Sequence, residues 1–175
     1  MALMVTPAQA VEGPVAMAET VVLGAIAIPG RGEQVRVARA FVAGVLRKLA
    51  AADEPVPDGP VPDGPVPGES VPDAEVLDNA ALLTSELVTN AIRHSRSGES
   101  GGSVGLMVVA VPDGIRVEVT DSGSASSPVV KQESYTCDGH GLFLVESVAR
   151  EWGCRGSGAS TTVWFCLGWP GTPGG

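Results

Sequence analysis

The chain is short of positive charge, of aromatic rings and of cysteine, and each shortage narrows what it can be. Eleven Lys and Arg face twenty Asp and Glu over 175 residues, a formal net charge of −9. Non-specific nucleic-acid binding rests on counterion release by clustered Lys and Arg. DNA and RNA are therefore poor ligands for this surface, and so is an anionic membrane. A polyphosphate ligand would have to arrive with a metal ion or meet local backbone N–H groups. Three cysteines, Cys137, Cys154 and Cys166, cannot all pair within one chain, and a reduced, cytoplasmic protein is the simplest reading. No stretch approaches the roughly 18–20 apolar residues of a membrane span. Residues 1–19 hold no Lys or Arg, so the positive start of a secretory signal is missing, and Glu12 and Pro14 interrupt the apolar run.

What is present suffices for one ordinary domain. Hydrophobic residues make up 44% of the chain and the mean hydropathy is +0.22, which makes a packed core feasible and global disorder unexpected. Residues 1–19 read as a flexible leader and 169–175 as a disordered tail, leaving 20–168 as the domain. Thr20 to Ile28 is rich in β-branched residues and stops at Pro29-Gly30, the pattern of a strand closed by a turn. From Glu33 the apolar residues Val35, Ala38, Phe41, Val42, Val45, Leu46 and Leu49 fall on one helical face, with Arg36, Arg39, Arg47 and Lys48 turned outward.

Residues 53–73 break that pattern. PVPDG occurs twice and degenerates to PVPGE, and half of the fourteen prolines lie here. Such a repeat builds neither core nor ladder and reads as an exposed, stiff inserted loop. Lengthening a connection from about 5 to about 20 residues costs only roughly 1.2 kcal/mol of closure entropy. Pro72-Asp73 then starts a second helix with Asp73 as N-cap; Val76, Leu77, Ala80, Leu83, Leu87 and Ala91 form its buried stripe. Two strands, Val104 to Val111 and Ile115 to Thr120, meet at Pro112-Asp113-Gly114, a hairpin signal. Residues 121–138 are polar. Gly139 to Trp152 shows helical spacing again, and Thr161 to Leu167 reads as a last strand. Trp152 and Trp164 are expected to fill the core.

Three groups of residues could carry chemistry. Glu86, Asn90 and His94 stand at i, i+4 and i+8, drifting only about 40° per step, so they share one helix face. Asn offers a neutral oxygen to a hard cation, and Glu can take a proton from an attacking hydroxyl. The same triple is also the wet face of an ordinary amphipathic helix. Asp121-Ser122-Gly123 lies where a strand runs out. A carboxylate there can accept a hydrogen bond from an amino-bearing heterocycle, worth about 1.5–3 kcal/mol, although the tripeptide is also an ordinary turn. Gly139-His140-Gly141 opens a helix, where unpaired N–H groups attract anions; a lone Gly-x-Gly is a weak signal. A zinc site from Cys137, His140, Cys154 and Cys166 is disfavoured because the second pair lacks the short spacing of metal hairpins.

The order of the motifs says more than any one of them. SELVTNAIRHS, VEVTDSG, GHGLFLV and TTVWF resemble the ATPase superfamily of gyrase, the heat-shock chaperones, histidine kinases and mismatch-repair proteins. More closely, they resemble its small anti-sigma-factor serine kinases. The resemblance spans about residues 20–168. It implies the histidine kinase-like ATPase (Bergerat) fold, an α/β (α+β) two-layer sandwich with a mixed, mostly antiparallel sheet and helices on one face. It implies ATP and Mg²⁺ as cofactors, with Asn90 ligating the metal and Glu86 the catalytic base. Asp121 would receive the adenine amino group, with Gly123 allowing close approach and Thr162 supporting that contact. His94, Gly139, His140, Gly141 and Leu142 would surround the phosphates, and residues 122–138 would form a lid.

By that resemblance the chain is an ATP-dependent serine/threonine kinase acting as an anti-sigma factor. Its partners would be a sigma factor and an anti-anti-sigma protein, which it phosphorylates; no direct nucleic acid or membrane contact is implied. Relatives pair through their sheets, which makes a homodimer the implied assembly. An ATP-dependent sequestering module that transfers no phosphate is the alternative. A detached histidine-kinase domain is less well matched, since the only histidines, His94 and His140, lie within the expected site.

Overall fold

The computed structural model describes residues 21–51, 72–123, 140–156 and 159–169, with His140 and Gly141 described in backbone only. The leader, the proline repeat up to residue 71, the expected lid beyond Gly123, Cys137 and Gly139 lie outside the described residues. Among the described residues, no helix is long and apolar enough to cross a membrane.

The β-branched run at the start forms β1 (Val21–Pro29), and a 3-10 turn (Gly32–Gln34) leads into α1 (Val35–Ala51). The helical spacing is realised: Ala38, Val42 and Leu46 are fully buried, and the four basic side chains point to solvent. α2 (Ala74–His94) begins at the expected cap, where the Asp73 carboxylate accepts a hydrogen bond from Val76 N at 2.9 Å. This satisfies one of the donors that a helix start leaves open and contributes about 1 kcal/mol. Its stripe is buried as expected, joined by Thr84 and Val88. A 3-10 turn (Arg96–Gly98) follows, then β2 (Ser103–Val111) and β3 (Gly114–Asp121), α3 (His140–Val148), β4 (Glu151–Gly156) and β5 (Thr161–Gly168).

The strands form one five-stranded sheet in the order β1-β2-β3-β5-β4, antiparallel at every pairing. The register shifts between Val22 and Gly24, a bulge in β1. Strand alternation sends Val104, Leu106 and Val108, then Ile115, Val117 and Val119, then Phe165 and Leu167, toward the helices. They bury against the stripes of α1 and α2 in a single core. Each large side chain so buried stabilises the fold by about 1.5–3 kcal/mol. The two-layer sandwich is the expected one.

Two expectations need correction. The helical spacing expected to run to Trp152 stops at Val148, and Glu151–Gly156 pairs with β5 as an edge strand. Trp152 suits both patterns, because it continues the helical register and also pairs opposite Phe165 on the core side. Gly153 is the residue that fits only the strand. A Cβ there would lie 2.6 Å from the Trp164 ring, so the indole covers the glycine across the ladder. Trp164 itself does not fill the core. It pairs with Glu118 on the face away from the helices, and the Arg116 guanidinium stacks 4.1 Å above its ring.

That outer face is ionic rather than apolar near its centre. Glu118 is 7% exposed and is held by Arg155 through a forked contact, Nη2 at 2.5 Å and Nη1 at 3.4 Å. Arg116 Nε lies 3.0 Å away on the other side, an ion pair without hydrogen-bond alignment. Cys166 shares this face, opposite Arg116 and Glu151. Cys154 stands opposite Val163 and so points the other way. The two thiols therefore cannot share a metal ion.

Candidate functional site at the C-terminal end of β3

The Asp121-Ser122-Gly123 turn is built where β3 ends, on the helix side of the sheet. One carboxylate oxygen of Asp121, Oδ1, accepts from Gly123 N at 2.7 Å and from Thr161 N at 3.2 Å. Gly123 has φ +71°, a left-handed conformation that glycine adopts without a steric penalty. The second oxygen, Oδ2, has no hydrogen-bond partner among the described residues and is available to a ligand. Burial raises the Asp121 carboxyl above the ordinary carboxylate value, and the two backbone amides offset part of that rise. A half-buried carboxylate with one oxygen pinned and the other free is suited to accept from a planar amino-bearing base.

The end of α2 is fastened to this turn. Ser95 closes the helix, its hydroxyl donating to Ala91 O at 2.7 Å and accepting from Ser97 N at 3.0 Å. Arg96 N donates to Gly123 O at 2.8 Å, and Ser122 N donates to Ser97 Oγ at 2.9 Å. Glu86 and Asn90 are half-buried on α2, and His94 is exposed at its last position. Measured back from His94 at 1.5 Å per residue, Asn90 lies about 6 Å and Glu86 about 12 Å along the axis. The helix thus presents an amide and then a carboxylate in a line leading away from the Asp121–Gly123 turn.

The remaining candidates fare differently. Thr162 does not join Asp121. Its side chain faces outward, 8% exposed, with Oγ1 at 2.9 Å from Thr120 Oγ1. The residue opposite Asp121 is Thr161, whose backbone N–H the carboxylate binds. His140 and Gly141 form the first turn of α3, which packs on α2; the helix start is where the Gly-x-Gly pattern puts it, within a residue. Leu142 packs against the hydrophobic core. Arg93 is exposed near the end of α2. Burial pushes the Cys166 thiol up to about 11, with Glu151 adding to the rise, so this cysteine stays protonated near neutrality and is a poor nucleophile.

Sequence reasoning missed Ser97, Ser122 and Thr161. Thr161 could have been found from strand parity, once the register of β3 against β5 was known. Ser97 carries no sequence signal, because its partners lie 25 residues away.

Residues 28–167 match the family model of the histidine kinase-like ATPase domain. No curated protein matches the chain. In structure it is similar to the crystal structure of the RsbU and RsbW domains of Rv1364c from Mycobacterium tuberculosis, with a TM-score of 0.52 and 15% identity. The match covers 83% of this chain and 32% of that one, so the chain spans about a third of that structure's length. The likeness is one of fold.

Proposed function

Because the chain belongs to the histidine kinase-like ATPase domain family, we propose that it binds ATP with Mg²⁺ and works as a serine/threonine kinase of the anti-sigma-factor type. It would phosphorylate an anti-anti-sigma protein and hold a sigma factor. The observation that carries the nucleotide reading is the half-buried Asp121 carboxylate, with Oδ1 fixed by two backbone amides and Oδ2 without a hydrogen-bond partner among the described residues. The donor set suits the ligand: an acceptor for an exocyclic amine at Asp121, and a neutral oxygen ligand at Asn90 for a hard cation.

In this reading Asp121 orients the base, and Gly123 lets it approach the backbone. Asn90 would hold Mg²⁺, which supplies charge neutralisation for the phosphates when bound. Glu86, one helical turn before Asn90, accepts the proton of the attacking serine or threonine hydroxyl of the partner protein. The start of α3 offers backbone N–H groups to anionic oxygens, which is how an acidic chain can hold a polyphosphate.

Titration calorimetry with ATP, with and without Mg²⁺, tests the site; no uptake by folded protein at millimolar ATP would overturn the reading. Transfer is tested with γ-labelled ATP and a candidate anti-anti-sigma protein. Glu86→Gln should keep ATP binding and lose transfer, and undiminished transfer would dismiss Glu86 as the base. Intact binding with no transfer by the wild-type protein would instead make it a sequestering module.

A further inference from the structure

We propose that Ser97 is a positioning residue for base recognition: it locks the Asp121–Gly123 turn to the end of α2, so that the base-selecting carboxylate and the Glu86/Asn90 face are held as one unit. This rests on the nucleotide-site reading above and goes beyond it, since Ser97 touches no ligand. Ser97 is completely buried although polar. Its hydroxyl accepts from Ser122 N at 2.9 Å and lies 3.4 Å from Ser122 Oγ, which in turn donates to Ser103 O at 3.4 Å. The Ser97 hydroxyl therefore anchors the turn that carries Asp121 at its middle residue, beside the backbone bond from Arg96 N to Gly123 O.

The backbone of Ser97 is anchored in turn. A Cβ on Gly30 would sit 1.6 Å from Ser97 O, and one on Gly102 would sit 2.2 Å from it. The carbonyl is thus wedged between the end of β1 and the start of β2, where Gly30 N also donates to Gly102 O at 2.9 Å. Gly98 passes equally close to Ile92 O in the last turns of α2, where a Cβ would come within 2.2 Å. Ser97 accordingly sits where the ends of β1, α2 and β3 and the start of β2 converge. Backbone contacts fix it to three of these, and only the hydroxyl reaches the fourth. Removing the hydroxyl leaves the scaffold joined and takes away the tie at the middle of the Asp121 turn, leaving Ser122 N–H unpaired while Arg96 N still holds Gly123 O.

The experiment compares ATP and GTP, titrated against wild-type protein and Ser97→Ala, with thermal melts in parallel. Adenine carries a donating amine at C6 where guanine has a carbonyl oxygen, and a carboxylate acceptor favours the amine, so a loosened turn should lose discrimination rather than phosphate affinity. The expected result is about a tenfold weaker ATP affinity, GTP affinity within about twofold, and an ATP preference reduced about tenfold. Equal losses for both nucleotides, or no loss in folded protein, would overturn the proposal. Should Ser97→Ala fail to fold, Ser97→Cys carries the same test, because the thiol leaves no cavity and is only a weak acceptor. Wild-type protein that binds neither nucleotide removes the site reading and this one together. A wild type that prefers ATP beside an unchanged variant removes the role of Ser97 alone.

Discussion

Two aspartate–glycine turns bracket β3, and they are used differently. At its start, the Pro112-Asp113-Gly114 corner is tied by main-chain contacts: Asp113 O accepts from Trp169 N at 3.0 Å and from Arg150 Nη1 at 3.3 Å. The Asp113 side chain is 64% exposed, 3.9 Å from Arg150. At the strand's other end the carboxylate itself is part of the turn, half-buried, with one oxygen unpartnered among the described residues. Identical residue types thus make a joint in one place and, in the proposed reading, a binding group in the other. Burial and the acceptors already occupied tell them apart; composition does not.

The largest effect expected from breaking this contrast is at the joint. Gly114→Ala would place a Cβ 1.9 Å from Leu167 O, a backbone atom that cannot step aside. A loss of about 3 kcal/mol is expected, lowering Tm by roughly 6–12 °C for a chain of this length, with ATP affinity kept at low temperature. Next is Asp121→Asn, which keeps an acceptor for Gly123 N and Thr161 N and loses the charge. ATP binding should weaken about 10–150-fold, the equivalent of about 1.5–3 kcal/mol, without a fall in Tm. Asp113→Ala should cost about 0–1 kcal/mol, as befits an exposed pair, and leave ATP affinity alone; a tenfold loss there would erase the distinction between the turns.

The smallest effect is one of pH. The folded Asp121 carboxyl titrates above its unfolded counterpart because burial penalises the charge. Its contribution to stability is complete below the unfolded value of about 3.9 and is lost as pH rises through the folded value. Asp121→Asn should therefore melt slightly higher than wild type at pH 7, with the gap closing toward pH 4. A gap that widens in acid would contradict the assigned cause.

The helices and the hairpin were legible because each rests on local rules: the 3.6-residue stripe of α1 and α2, the Asp73 cap, the Pro-Asp-Gly corner. β4 was not, since Leu142, Val145, Val148, Ala149 and Trp152 satisfy helical spacing while the last of them also satisfies a strand. In the site, Asp121 and Gly123 are placed together as their motif suggests, and Glu86 and Asn90 share the helix that ends beside them. Thr162 was misplaced for a reason of parity: a shift of one residue turns a strand's side chain to the opposite face, and only the Thr120–Thr162 pairing decides which threonine faces which way. Ser97 depends on the clearance at Gly30 and on the amide of Ser122, both far along the chain, which no short window of sequence contains.

The bulge in β1 has a consequence for behaviour in crowded solution. β1 is a border of the sheet among the described residues, and Val21 and Val22 there are each 56% exposed. A straight, greasy border of this kind invites stacking of molecules into fibrils. The irregularity between Val22 and Gly24 sharpens the local twist and spoils the even spacing of free amides beside the two exposed valines, so that a neighbouring molecule meets a broken template at the greasiest part of that border.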